Sequence, residues 1–275
     1  MCHQAMSINF NRNHSQVKYE EIIGASSFEE VDKNLFKNHT LTQDEVDLLK
    51  RTAKEDAINF FYNGIISFSD GINNILRRHF SWATVQLYYS IYYFIRSSLA
   101  SKNIILLRNK SMYRLIIREN EKPFSTTNRK YNTTHEGTIN HHRDLFHLSD
   151  QLLSNNIDNM DAYEWMMNAR EIVNYRCASF LEPSYLEIWN NFAESLDDNS
   201  FFDLIATIHN DNDFILCFQE EYAVVAIPYK RLQLTLQDLK DSNILQMINS
   251  DRINYLKKSI QYETYDMNEI ISILS

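Results

Sequence analysis

The chain has little of what tight turns require. Its 275 residues include only 4 glycines and 3 prolines, which disfavours a β-sandwich, a barrel or a glycine-rich nucleotide fold. Three cysteines, Cys2, Cys177 and Cys217, are isolated and odd in number, so they form neither a disulfide framework nor a CxxC metal pair. No uninterrupted apolar run approaches the length of a bilayer span, and no membrane partner is expected. No cationic segment followed by an apolar run opens the sequence, so the cytoplasm is the expected compartment. A glycine-rich phosphate loop, an HExxH pair and a serine nucleophile elbow are all missing, and no cofactor or metal is expected.

What is present is apolar and aromatic. Hydrophobic residues make up 44% and aromatics 13%, which argues against global disorder. A chain of this size buries roughly 70% of its extended surface, as one large domain or one domain with a smaller appendage. The net charge of −9 excludes a surface coated in DNA-binding charge but leaves room for a local basic groove. Charge is segregated. Residues 102–130 carry Lys102, Arg108, Lys110, Arg114, Arg118, Lys122, Arg129 and Lys130 against only Glu119 and Glu121. Residues 184–229 are acidic and contain no Lys or Arg.

The densest feature is HFSWATVQLYYSIYYFIRSSLA at 79–100, whose apolar and aromatic residues recur at helical spacing on more than one face. Such a helix belongs in the middle of a bundle, and its hydroxyls and single arginine then need partners. Thr42 three residues before Glu45 is a capping-box signature. It opens a helix with Val46, Leu49, Ala53, Ala57, Phe60 and Phe61 as its buried stripe. Gly64 and Gly71 punctuate the passage to the aromatic helix. VKYEEII at 17–23 reads as an edge strand and 104–118 as a helix. Pro123 and STTNRKYNTT read as a long loop. Helical periodicity returns around Ile139, and Asp161 caps a helix through WMMNAREIVNYRCASFL, 165–181. DFILCFQEEYAVVAI at 213–227 reads as two short strands closed by Pro228, with a helical tail bearing Met267, Ile270 and Ile271. The expected organisation is an N-terminal extension (1–41), a helical body (42–196) and a small α/β appendage (197–275), mainly α overall.

Several residues could carry chemistry. Lys110, Arg114 and Arg118 recur every four residues and form a basic stripe on the expected helix, suited to phosphates, to a protein interface or to plain solvation. Arg170 shares a helix face with Asn174 and Cys177. It either satisfies tyrosine hydroxyls and carboxylates in the core or meets phosphate at a groove edge. Arg129 with His135, and Arg143 with His147, are the short-range arginine–histidine pairs. His141 and His142 are adjacent and cannot point the same way on a regular helix.

Three segments, WATVQLYYSIYYFIRSSLA (82–100), THEGTINHHRDL (134–145) and AREIVNYR (169–176), together resemble the HEPN superfamily. The likeness covers about residues 45–195. It implies a HEPN-like helical bundle, a homodimer or other protein subunits as partners, and a place in bacterial immunity or toxin–antitoxin-type systems. Nuclease members pair an arginine with a histidine separated from it by four to six residues, a spacing that Arg129 and His135 meet and Arg143 and His147, with three between them, do not. Here Arg170 is followed by no such histidine, and Tyr175 is a poor substitute because a phenol is a weak proton donor beside an imidazole. The resemblance therefore points to a non-enzymatic assembly or regulatory component that contacts RNA. A metal-independent endoribonuclease and a nucleotide-sensing module around Tyr89, Tyr93 and Arg96 are the alternatives.

Overall fold

A computed structural model describes residues 12–25, 31–262 and 265–266. The helical tail expected around Met267, Ile270 and Ile271 lies outside the described residues.

Helix packing begins with α3 (Gln43–Leu76) and α4 (Phe80–Ser101). The capping box forms: the Thr42 amide donates to the Glu45 carboxylate at 2.8 Å. All six residues of the expected stripe are buried. Gly64 and Gly71 do not interrupt this helix; they lie inside it, where α4 approaches most closely. A Cβ on Gly64 would sit 2.5 Å from the Phe94 ring, and one on Gly71 2.8 Å from Leu87. Ser97 Oγ donates to the Ala57 carbonyl at 2.8 Å. The order 57 with 97, 64 with 94 and 71 with 87 makes the two helices antiparallel. Tyr88 is fully buried and Tyr92 nearly so.

Residues 104–116 form a hairpin, not the expected helix: β1 (Ile104–Asn109) pairs antiparallel with β2 (Ser111–Ile116), with Lys110 in the left-handed region at the tip. Its alternation explains the difference. Ile104, Leu106 and Met112 face the main core, while Ile105, Leu107, Tyr113 and Leu115 face a second, smaller core. A period of two is strand grammar, and the hairpin is a wall between two apolar clusters.

The second core is closed by α1 (His14–Ile22) and α2 (Lys33–Asn38). The expected edge strand at 17–23 is therefore a helix. Its free N-terminal amides are answered from α3: Asp56 accepts from the amides of His14 at 2.7 Å and Ser15 at 2.9 Å. The Gln16 side-chain amide pairs in both directions with the backbone of Arg108, tying α1 to the hairpin.

After the long loop come α5 (Thr134–Phe146), the two-residue strands β3 (Asn156–Ile157) and β4 (Met160–Asp161), and α6 (Ala162–Glu171). Asp161 caps α6, accepting from the amides of Tyr163 and Glu164. The helix expected to reach Leu181 passes instead into a π-helical turn, Ile172–Arg176.

The C-terminal region differs most from expectation. After α7 (Asn190–Asp197) and α8 (Phe201–Asn210), the two expected strands are a 3-10 turn, Ile215–Phe218, and the start of α9 (Glu220–Asp241). Pro228 lies inside α9 rather than closing a strand. Residues 223–232 are all buried. A continuous apolar run of β-branched residues looks alike as a buried strand or a buried helix. Nor is α9 part of an appendage: it lies along α4 within the main core. The chain ends its described part with α10 (Ser250–Ile260), β5 (Gln261–Tyr262) and β6 (Tyr265–Asp266).

Gly64→Leu overpacks the α3–α4 crossing and is expected to cost about 1–3 kcal/mol. Circular dichroism melts check this, and an unchanged Tm would contradict the close approach of Phe94.

Candidate functional site

Two polar clusters sit two helical turns apart on the same helices. The first is buried. Asp150 accepts from His142 Nε2 at 2.7 Å, from the Tyr163 hydroxyl and from Arg231 Nη1 at 3.2 Å. Arg231 also donates to Ser98 at 2.6 Å and to Asp238 at 3.4 Å. Burial pushes the Asp150 carboxyl up, but hydrogen bonding from His142 and the Arg231 charge outweigh it, holding the group well below the usual carboxylate range. The carboxylate thus joins α5, α6 and α9, and Arg231 extends the network to α4.

His135 lies seven residues before His142 on α5, and Arg170 seven residues after Tyr163 on α6. Seven residues are two turns, about 10 Å along one face. Antiparallel α5 and α6 bring these two residues together beside Tyr88 of α4. The Arg170 guanidinium lies 4.8 Å above the Tyr88 ring and 5.3 Å from that of Tyr175. The His135 ring is 4.6 Å from Tyr92, 5.2 Å from Tyr89 and 5.7 Å from Tyr88.

Three polar atoms here are buried without a hydrogen-bond partner: Tyr88 Oη, His135 Nδ1 and Arg170 Nε. Leaving such atoms unpaired is costly, and the gathering of three around the Tyr88 ring makes this the candidate site, although both ring nitrogens of His141 are buried unpaired as well. The only carboxylate paired with Arg170 among the described residues is Glu171, at 3.9 Å. Burial, then the charges of Arg170 and Arg96, lower His135 to about 4, so its ring is neutral at pH 7. Burial raises the Tyr88 phenol despite Arg170. The cluster reaches solvent at His135, which is half-buried, and at Tyr175, which is 69% exposed. It offers positive charge, hydrogen-bond donors and an aromatic lip, a combination suited to an anion attached to a flat ring.

The other candidates are placed differently. Lys110, Arg114 and Arg118 do not form a helical stripe. Along the hairpin direction four residues span about 13 Å, against about 6 Å on a helix. Lys110 is exposed at the tip, Arg114 lies 4.7 Å over Phe124 and 3.8 Å from Asp144, and Arg118 pairs with Glu121. Arg129 is exposed on a short 3-10 turn before α5. Arg143 is drawn to Asp161 and to Glu164 at 3.6 Å, away from phosphate chemistry, while His147 is exposed at the α5 C-terminus. Arg96 is engaged within the core, donating to the Tyr92 hydroxyl at 2.9 Å and lying 4.2 Å over Phe60.

His141 and His142 do diverge. His141 faces Tyr131 at 4.9 Å, and His142 faces Asp150. Sequence reasoning missed both the Asp150 network and the meeting of His135 with Arg170. The seven-residue spacings were visible, but the packing of both α5 and α6 on α4 was not. Among the described residues, no group of three His, Cys, Asp or Glu side chains is arranged to hold a metal ion. No helix among them is long and apolar enough to cross a membrane.

His141 and His142 are buried, and burial lowers both, His141 to about 4. The unfolded chain therefore takes up protons first as pH falls below about 6.5, the ordinary histidine value. The contribution of His141 is complete above that pH and is lost on acidification toward pH 4, by about 1.4 kcal/mol per pH unit, and His142 acts in the same direction. Denaturant titrations at pH 7 and 5 check the slope. His141→Phe, whose ring stays among aromatics, should flatten it by one proton; an unchanged slope would contradict the burial of a neutral imidazole.

No family model matches this sequence, and neither a curated protein nor a solved structure matches it.

Proposed function

We propose that this protein is a non-enzymatic component of a multiprotein assembly that recognises a phosphate-bearing ligand, single-stranded RNA, at the Tyr88–His135–Arg170 cluster. The observation that carries the reading is the convergence of three buried, unpaired polar atoms beside the exposed Tyr175 ring. A phosphate oxygen would accept from Arg170 and His135, and a base would stack on Tyr175. The resemblance of residues 45–195 to HEPN proteins supports a dimeric or multisubunit setting within a bacterial defence-type system.

The chemistry favours recognition over cleavage. A general acid must be protonated near neutral pH, and His135 at about 4 is almost wholly neutral there. An endoribonuclease is the second reading, because the Arg170 charge reaches His135 as it would in a phosphate-cleaving pair.

Fluorescence anisotropy with a labelled single-stranded RNA tests the proposal. Arg170→Gln should weaken binding by about tenfold or more and reduce the salt slope by roughly one. Wild-type protein should leave the RNA intact, and thermal melts establish that the variant remains folded. Equal binding by the folded variant would refute the site. RNA cleavage that disappears in His135→Ala would establish the nuclease instead.

A further inference from the structure

On the far side of α6 from Tyr88 runs a groove of about 480 Å3, within the usual range for ligand and side-chain pockets. Its floor is apolar: Trp165 and Ala169 of α6, Ile172 of the π turn, and Ile188. Its rim is acidic, with Asp158, Glu187 and Glu220 all exposed.

Among the described residues none of the three rim carboxylates makes an ion pair, and the stretch 184–229 contains no Lys or Arg. Burial, then repulsion from Asp158, Glu187 and Glu221, raises the Glu220 carboxyl. Mutually repelling carboxylates around an apolar floor are complementary to a cation with an apolar neighbour, and they repel phosphate.

The wall is held in place. Glu182 accepts from the amide and hydroxyl of Ser81 at 2.7 and 2.9 Å, anchoring the strap before α7 to the start of α4. That strap presents Tyr185 to the groove, 5.0 Å from the Phe80 ring, and Phe180 against the half-exposed Trp82 at 5.6 Å. A preformed wall lowers the cost of ordering on binding. Exposed aromatics beside it are the residues from which interface anchors are drawn.

We infer that this groove docks a segment of a partner protein in which an arginine or lysine adjoins an apolar side chain. The apolar group fills the space over Trp165 and the cation lies among Asp158, Glu187 and Glu220. A second copy of this chain is the competing occupant: Lys102, Arg114 and Arg118 of its basic stretch are paired with Asp238, Asp144 and Glu121, but Lys110 and Arg129 are exposed, and the oligomeric state decides between the two.

The test uses the full chain and a fluorescein-labelled peptide alternating leucine and arginine, with a leucine–glutamate peptide as control. The arginine peptide should bind, and Glu187→Lys should weaken it by about tenfold or more. Asp213→Lys, the same charge change outside the groove, should leave affinity within about twofold. Arg170→Gln should not affect peptide binding, so failure here and failure of the RNA site are separable. The inference is overturned if the arginine peptide does not bind, if the glutamate peptide binds as well, or if both lysine variants weaken binding equally. It is also overturned if sedimentation reveals a dimer of this chain that Glu187→Lys dissolves, since a second copy would then own the groove.

Discussion

Arg231 brings a full positive charge into the middle of the helical body, and Asp150 answers it at 3.2 Å with both side chains almost wholly buried. Removing one partner of such a pair leaves an uncompensated charge in a dry interior, a loss of about 3–5 kcal/mol. Replacing the pair by matched apolar groups is often neutral, so its contribution here is positional rather than simply stabilising. The pair is held from several sides. His142, Tyr163 and Ser98 complete it, and those residues lie on three further helices. Four helices are thereby indexed to one ion pair.

That indexing sets the candidate site. Sliding α5 or α6 by a residue would separate His142 or Tyr163 from Asp150, and would equally carry His135 or Arg170 away from Tyr88. Around Asp150 the carboxylate and the guanidinium are densely hydrogen-bonded, with His142 Nδ1 left over, while the end two turns away keeps unpaired atoms on Tyr88, His135 and Arg170. A candidate site held in place by a buried, densely hydrogen-bonded cluster behind it is the arrangement that preorganised ligand sites require. The π turn after Arg170 contributes locally, since it places the Tyr175 ring 5.3 Å from the same guanidinium. Irregular turns of this kind recur at functional sites. Opposite faces of α6 then present different chemistry: positive charge and tyrosine toward α4, apolar surface and carboxylates toward the groove.

Much of the fold can be read from the residues. The Thr42–Glu45 box, the stripe from Val46 to Phe61, the Asp161 cap and the burial of Tyr88 and Tyr92 follow from periodicity and capping chemistry alone. The hairpin at 104–116 and the helix at 220–241 do not. Both are apolar on two sides, which erases the amphipathic contrast that separates a period of two from one of 3.6. Pro228 deepens the ambiguity, because proline in a helix interior is normally excluded and is held here by burial on every side. The candidate site was half visible. Arg170 and the tyrosines stand out in the sequence, but His135 belongs with them only through tertiary packing. Its sequence neighbour Arg129 is exposed on the preceding turn.

The claim that unites these observations is that His135 and Arg170 share one anion. Nuclear magnetic resonance of the histidine ring carbons between pH 3.5 and 8 measures it directly, with His135→Gln assigning the signal. The free protein should show His135 titrating near 4. With single-stranded RNA bound, phosphate beside the ring should raise that value by about one unit or more, while the buried His142 signal stays put. A His135 that titrates at the ordinary histidine value, or one that ignores saturating RNA, would contradict the account.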